Sequence, residues 1–361
     1  MEQIILYGKE GLKTIIEQQK IKRVFLVCGE TSFKKSGAAA FIDSLSVQTV
    51  RFTAFSPNPK YEEVCCGVKL FKASESKVIL AVGGGSSMDV AKCIRLYATM
   101  DETMPFYAQQ GCDSDVLLIA MPTTAGSGSE STCHAVLYRD KVKQSISRAY
   151  LRPACAVLAH EFLCSLPMRQ KKSTLLDALC QGIESYWARS ATKESRIYAV
   201  EALRIIKRYW KAYIMENCRY REMMYAANLA GRAIHISRTT APHALSYGLT
   251  SQYKIPHGHA VALCMEQVWG YTMEQAEKMK DVYAQDLNDV LRSLSMVISY
   301  KDFCEIMREL KMESPLAADK ERDIEILSQK VNADRLGNHP IALEKKTIVS
   351  IYERIVKPIE Y

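Results

Sequence analysis

No part of this 361-residue chain is an unbroken apolar run of the roughly 18 residues a membrane span requires. Its opening segment, MEQIILYGKEG, lacks the apolar core of a secretory signal. A cytoplasmic protein with no membrane partner is therefore expected. Twelve cysteines are present, but no two are spaced CxxC, and the adjacent Cys65 and Cys66 are poorly placed to bridge each other. Scattered in this way through a large chain, they read as free thiols in a reducing compartment rather than as a disulfide framework. The net charge is +8, from 48 basic and 40 acidic residues, yet there is no long basic run interleaved with aromatics. KVK at 141–143, KKS at 171–173 and KR at 207–208 are scattered, so a nucleic-acid partner is not expected. A small anionic substrate or cofactor accounts for the positive balance equally well. Internal repeats and low-complexity tracts are absent, as are the GxGxxG fingerprint and the GK[ST] phosphate loop.

The length exceeds what one core usually organises, and 48% hydrophobic with 24% charged residues is ordinary for a globular protein. Two domains are expected, at 1–160 and 161–361. In the first, VFLVCG (24–29), VQTVRFTAF (47–55), KVILAVGG (77–84) and VLLIAMP (116–122) are short β-branched runs closed by glycine, proline or polar residues. The helical patterns YEEVCCGVKLFKAS (61–74) and SMDVAKCIRLYATM (87–100) lie between them. This alternation predicts an α/β domain with a buried parallel sheet. Beyond residue 160 strand signals almost vanish and long amphipathic segments take over, such as YREMMYAANLAGRAIHIS. An all-helical second domain is expected.

Two polar glycine-rich loops follow predicted strands. In AVGGGSSMDVAK (81–92), Gly83, Gly84 and Gly85 permit positive φ and close approach of backbone N–H groups to an anion. Ser86 and Ser87 open the next helix, whose N-terminus favours phosphate. A tight strand–helix turn would also use such residues. The second loop, MPTTAGSGSE (121–130), weakens that alternative, because two loops at the ends of strands in one sheet suit an extended phosphate-bearing ligand.

A different chemistry gathers further on. Asp177 and Gln181 are spaced i, i+4, which puts them on one helix face about 5–6 Å apart at Cβ. His243 and His257 bracket HALSYGLTSQYKIPH. One carboxylate, two imidazoles and an amide oxygen could enclose a divalent ion, with Gln181 the anomaly, since an amide is a poor donor to Zn²⁺ or Fe²⁺. Three readings stay open: three ligands with an open position, a weak fourth ligand favouring Mn²⁺ or Mg²⁺, or a lost metal. Tyr247 and His259 are candidates to relay a proton, against the alternative of ordinary packed polar residues.

GGGSSMDVAK, PTTAGSGSE and HALSYGLTSQYKIPHGHA together resemble the iron-dependent (group III) alcohol dehydrogenases, a superfamily that includes glycerol dehydrogenase and dehydroquinate synthase. The resemblance spans nearly the whole chain. It implies a dehydroquinate synthase-like fold: an N-terminal Rossmann-like parallel-sheet domain and a C-terminal helical metal-binding domain. It further implies that Gly83, Gly84, Gly85 and Ser86 hold the pyrophosphate of NAD(P)H, with Asp89 supporting the loop. Thr123, Thr124 and Ser127 would line the nicotinamide side, and Asp177, His243 and His257 would hold Fe²⁺ or Zn²⁺, with Mn²⁺ the other candidate. Many relatives carry a histidine ligand where this chain has Gln181. A homodimer or larger assembly is also implied.

LLDALCQGIESYWARSATKES, FSPNP (55–59), KQSIS (143–147) and VNADRLGNHPIAL (331–343) narrow the resemblance to the phosphonoacetaldehyde reductases, also called hydroxyethylphosphonate dehydrogenases. The implied reaction is hydride transfer from a reduced nicotinamide to a small aldehyde. A phosphonate needs cations, and Arg232, Arg238, Lys254 and Arg335 are the candidates, with Asn338 and His339 beside them. Solvated surface charge is the alternative for each. Gly29 stands where many relatives carry an acidic residue that excludes a 2′-phosphate, and Lys34, Lys35 or Arg51 could meet one, so NADPH is favoured over NADH despite Glu30. The competing readings are a general alcohol/aldehyde dehydrogenase, a lyase like dehydroquinate synthase, and a nucleotide- or metal-binding protein without catalysis.

Overall fold

The computed structural model describes residues 2–140 and 142–359, with the side chains of all but 282 and 284. The chain divides into two compact units, one ending at Leu166 and the other beginning at Pro167. The first unit runs β1 (Ile4–Tyr7), α1 (Gly11–Gln18), β2 (Arg23–Cys28), α2 (Glu30–Lys35), α3 (Ala38–Asp43), β3 (Gln48–Phe52), α4 (Tyr61–Ala73), β4 (Val78–Gly83), α5 (Gly85–Tyr97) and β5 (Leu117–Pro122). An antiparallel hairpin, β6 (His134–Arg139) and β7 (Val142–Ser147), precedes β8 (Cys155–Leu158). The six-stranded sheet has the order β1-β8-β5-β4-β2-β3, and its pairings are parallel.

The four apolar runs in the sequence become β2, β3, β4 and β5, and the two helical patterns become α4 and α5. Side chains alternate between two cores. Val24, Leu26, Cys28, Val78, Leu80 and Val82 pack on one face, and Phe25, Val27, Ile79 and Ala81 on the other. A sheet covered on both faces buries every position of its central strands, which is why these runs read as continuous rather than alternating. From the carboxyl end of β2 the chain turns outward to β3, while from β4 it turns the other way to β5. Strand order thus reverses between β2 and β4, and the crevice at their carboxyl ends is where such sheets bind ligands. The glycine triplet sits at that end of β4.

The second unit is helical: α6 (Met168–Trp187), α7 (Lys193–Met215), α8 (Tyr220–Ser237), α9 (Ala241–Tyr253), α10 (His257–Lys278), α11 (Val282–Ser295), α12 (Tyr300–Glu309), α13 (Lys320–Gln329), α14 (Ala333–Gly337) and α15 (Lys345–Ile355). One exception interrupts the all-helical expectation: β9 (Leu316–Ala317) and β10 (Lys357–Pro358) form a two-residue parallel ladder, too short to leave a periodicity in the sequence. Among the described residues no helix is long and apolar enough to cross a membrane, and all twelve cysteines are free thiols.

Helix α6 is the centre of this unit, packed by α7, α8 and α10. Every residue from Ser173 to Ser185 is buried, so these turns have no solvent face. Asp177, Gln181 and Glu184 must therefore find partners inside the protein, because an unpaired buried polar group costs several kcal/mol, of order 2–7.

Candidate active site

The two glycine loops of the first unit are adjoining walls. Gly83 has φ of +150°, and a Cβ there would lie 2.3 Å from Ser87 Oγ, so only glycine fits. A Cβ on Gly84 would sit 3.5 Å from Thr124, and one on Gly85 3.3 Å from Ser127 Oγ. The Thr123 amide donates to the Gly83 carbonyl at 2.9 Å, fixing one loop against the other. Ser86 Oγ donates to the carbonyl of Pro57, within the FSPNP segment. This bare backbone at the N-terminus of α5, at the switch point of the sheet, suits a dinucleotide's phosphates.

Asp89 and Lys92, one turn apart on α5, act on the second loop from beneath. Ser129 Oγ donates to Asp89 at 3.0 Å. Lys92 Nζ is wholly buried among Ser129 O and Oγ, Thr132 Oγ1 and His134 O, at 2.7–3.2 Å. Burial pushes the Asp89 carboxyl up and the Lys92 ammonium down, each opposed by the other's charge. Among the cations expected near a 2′-phosphate, Arg51 is paired with Asp43 at 3.0 Å and lies over Phe33. Lys34 and Lys35 are exposed on α2, which Gly29 caps.

In the helical unit, α6, α9 and α10 bring Asp177, His243 and His257 together, with ligand atoms all within 4.8 Å of one another. His243 Nε2 faces Asp177 Oδ1 at 3.3 Å, and the His243 and His257 rings meet edge to face at 5.4 Å. Gly258 makes this convergence possible. A Cβ on it would fall 1.9 Å from the Ser173 carbonyl and 2.8 Å from Asp177 Cβ, so α10 can approach α6 only without a side chain there. Burial alone would push Asp177 up. The close approach of His243 and the charges of His257 and His243 outweigh it and hold the carboxyl below the usual carboxylate range. Burial likewise disfavours a charged His243, but Glu184 and Asp177 outweigh it and raise the ring above its ordinary value. One carboxylate oxygen and two imidazole nitrogens converge here, Asp177 and His243 buried and His257 half-buried, and fit a divalent first-row ion. Gln181, also buried, donates its amide to Asp177.

Glu184 is the residue that inspection of the sequence missed. It is fully buried, and its Oε2 meets His243 Nδ1. The signal was present: 177, 181 and 184 are i, i+4 and i+7, one polar stripe along a single helix face.

The remaining expected residues separate. Tyr247 lies parallel to His257, at 5.9 Å between centroids. His259 is two positions beyond His257, hence on another face of α10, where its Nε2 bonds the Glu313 carbonyl at 2.8 Å. Burial lowers the His259 pKa. Among the four candidate cations, Arg335 stacks on Tyr247 and bonds Thr239 Oγ1. Arg232 lies over Tyr198 and donates to its hydroxyl at 2.6 Å. Arg238 and Lys254 are exposed residues with positive φ, ending α8 and α9. Asn338 ties Ser190 to the Ser237 and Thr239 carbonyls, and His339 is buried edge-on against Trp187. Both serve the framework that carries Arg335.

A doubly wound sheet with paired glycine loops, followed by helices that close around an Asp–His–His cluster, defines the dehydroquinate synthase-like fold. Residues 3–160 match the iron-containing alcohol dehydrogenase family model, and residues 171–356 match the family's C-terminal model. The chain belongs to the iron-containing alcohol dehydrogenase family, a class of NAD(P)-linked oxidoreductases. It is 31% identical over 224 residues to the phosphonoacetaldehyde reductase of Streptomyces viridochromogenes, a match covering 58% of this chain and 57% of that enzyme. It is 24% identical to the NADPH-dependent butanol dehydrogenase of Clostridium saccharobutylicum over 97% of this chain and 95% of that one. The crystal structure of sulfoacetaldehyde reductase from Bifidobacterium kashiwanohense in complex with NAD⁺ superposes with a TM-score of 0.86 at 26% identity, covering 98% of this chain and 96% of that one.

Proposed function

We propose that this chain reduces a small anionic aldehyde to the primary alcohol with NAD(P)H, and that the reaction is phosphonoacetaldehyde to 2-hydroxyethylphosphonate. The observation that carries the reading is one continuous arrangement: the Asp177–His243–His257 cluster, Tyr247 stacked on His257, and Arg335 stacked on Tyr247. Asp177, His243 and His257 would hold the metal, Fe²⁺, Zn²⁺ or Mn²⁺. When bound, such an ion polarises the aldehyde oxygen and stabilises the developing alkoxide. The nicotinamide supplies the hydride; Gly83–Ser86 would hold the dinucleotide's pyrophosphate, and Thr123, Thr124 and Ser127 would line the nicotinamide side. Arg335 offers a planar fork to the anionic group. Tyr247 is the proton relay in this reading, since the His259 ring is engaged with Glu313.

The partial match to a phosphonoacetaldehyde reductase favours the phosphonate. The likeness to a sulfoacetaldehyde reductase supports a second reading, a two-carbon sulfonate, whose recognition would use the same cation. NADPH is the favoured nucleotide, with Lys34 and Lys35 the residues to meet its 2′-phosphate, and a homodimer or larger assembly belongs to the same proposal. NAD(P)H oxidation, measured with phosphonoacetaldehyde, sulfoacetaldehyde and propionaldehyde in the presence of each metal, tests all of these. Phosphonoacetaldehyde is expected to lead propionaldehyde by about 100-fold in kcat/KM, the worth of one or two charge-assisted hydrogen bonds. Equal rates would leave a general aldehyde reductase. Nucleotide bound without turnover would favour a lyase or a binding protein.

A further inference from the structure

We infer that Glu184 is the positioning residue of the metal centre, fixing the ring nitrogen that His243 turns toward Asp177. The inference rests on the metal-dependent reading above and deepens it.

Donors converge on the Glu184 carboxylate from one short stretch of chain. Its Oε1 accepts from Thr240 N at 2.8 Å, Thr240 Oγ1 at 3.0 Å and His243 N at 3.3 Å. Its Oε2 meets His243 Nδ1. The backbone contacts belong to the N-terminal turn of α9, whose first-turn N–H groups have no partner within the helix. Glu184 therefore caps α9 from α6, and the same carboxylate grips the ring that α9 presents. A carboxylate only accepts, so Nδ1 must carry the hydrogen. The ring's other nitrogen, Nε2, is then the one set 3.3 Å from Asp177 Oδ1. Carboxylate–histidine pairs of this kind commonly orient metal-bound imidazoles.

A glutamine at this position has the same shape but cannot serve both duties. With its NH₂ toward Nδ1, the ring must accept there and carry its hydrogen on Nε2, which then cannot ligate. With its NH₂ toward Thr240, two backbone donors and a hydroxyl confront a fourth donor in a site without water contact.

The test is Zn²⁺ affinity by chelator competition, alongside thermal melting, in wild type, E184Q, T240A and D177A. T240A removes the hydroxyl contacts to Glu184 and Trp187 but leaves Nδ1 untouched. It is expected to melt earlier while binding Zn²⁺ within about twofold of wild type. E184Q, measured well below its melting point, is expected to bind Zn²⁺ about 10- to 100-fold more weakly. Wild-type affinity in E184Q, or equal losses in E184Q and T240A, would overturn the assignment and leave a mere helix cap. Should E184Q not fold, E184D, one methylene too short to reach Nδ1, replaces it under the same tenfold criterion. D177A separates the two claims. Loss of Zn²⁺ there with none in E184Q rejects only the role of Glu184, whereas retention in D177A rejects the metal centre itself.

Discussion

The Tyr247 ring lies nearly parallel to the His257 imidazole, 6° between planes, and the Arg335 guanidinium covers Tyr247 at 5.5 Å from its centroid. Arg335 comes from the short helix α14, capped by Asn332, whose side chain accepts from the Arg335 amide at 2.9 Å. Its guanidinium donates to Thr239 Oγ1, two residues from the start of α9. A cation fixed at that place suits an anion held one ring away from the His257 nitrogen. Arg335→Leu is expected to cut kcat/KM for phosphonoacetaldehyde about 10- to 100-fold, mostly through KM, and to leave propionaldehyde within about threefold. Equal losses for both substrates would make Arg335 a structural residue only.

Gln181 donates to Asp177, so its amide serves the carboxylate. Gln181→Leu is therefore expected to keep its metal with affinity weakened about tenfold, the usual loss for a partner outside the ligand set. Asp177→Ala is expected to lose the metal altogether. Metal content by elemental analysis after dialysis decides between them, and equal depletion would make the amide a ligand after all.

The parallel sheet was legible because β2 and β4 bury both faces and so leave unbroken apolar runs. Strand β1 was not, since it has only four residues and exposes Ile4 and Tyr7 at the sheet edge. β8 is fully buried but equally short. The helical unit was legible as helices, yet the amphipathic reading of the segment carrying Asp177 hid the main point. Ser173 to Ser185 has no wet face, so its polar residues are all internal. With that known, Glu184 follows from spacing alone. The division of Arg232, Arg238, Lys254 and Arg335 could not follow from sequence. Whether a cation meets Tyr198, solvent or Tyr247 depends on how α7, α9 and α14 pack.

Gly258 shows the same limit. It sits beside His257, and its sequence context, HGHA, gives no sign that the neighbouring helix lies against it. In the structure a Cβ would penetrate the Ser173 carbonyl and crowd the Asp177 backbone nitrogen at 2.9 Å. Relief requires α10 to move away from α6, carrying His257 away from Asp177. Gly258→Ala is expected to destabilise the unit by about 3 kcal/mol, the upper end of ordinary overpacking, and to weaken metal binding along with it. A melting temperature and a metal affinity unchanged from wild type would show that the two helices are not held that close in solution.

His339 makes stability depend on pH. It is 1% exposed, its Nε2 lies 3.0 Å from Thr272 Oγ1, and that hydroxyl already donates to the Val268 carbonyl. The ring therefore donates to Thr272 and is neutral. Burial, with the nearby Arg189 charge, lowers its pKa to about 3. The unfolded chain takes up a proton on this ring near pH 6.5, but the folded protein does so only near pH 3. Stability from this site is thus complete above about pH 6.5 and lost progressively between there and pH 3, reaching about 2 kcal/mol by pH 5. Urea denaturation at pH 7.5 and pH 5.0 measures it. In His339→Gln the drop between the two pH values is expected to shrink by about that amount. An acid limb as steep as that of the wild type would mean that other groups, and not this buried ring, set the sensitivity.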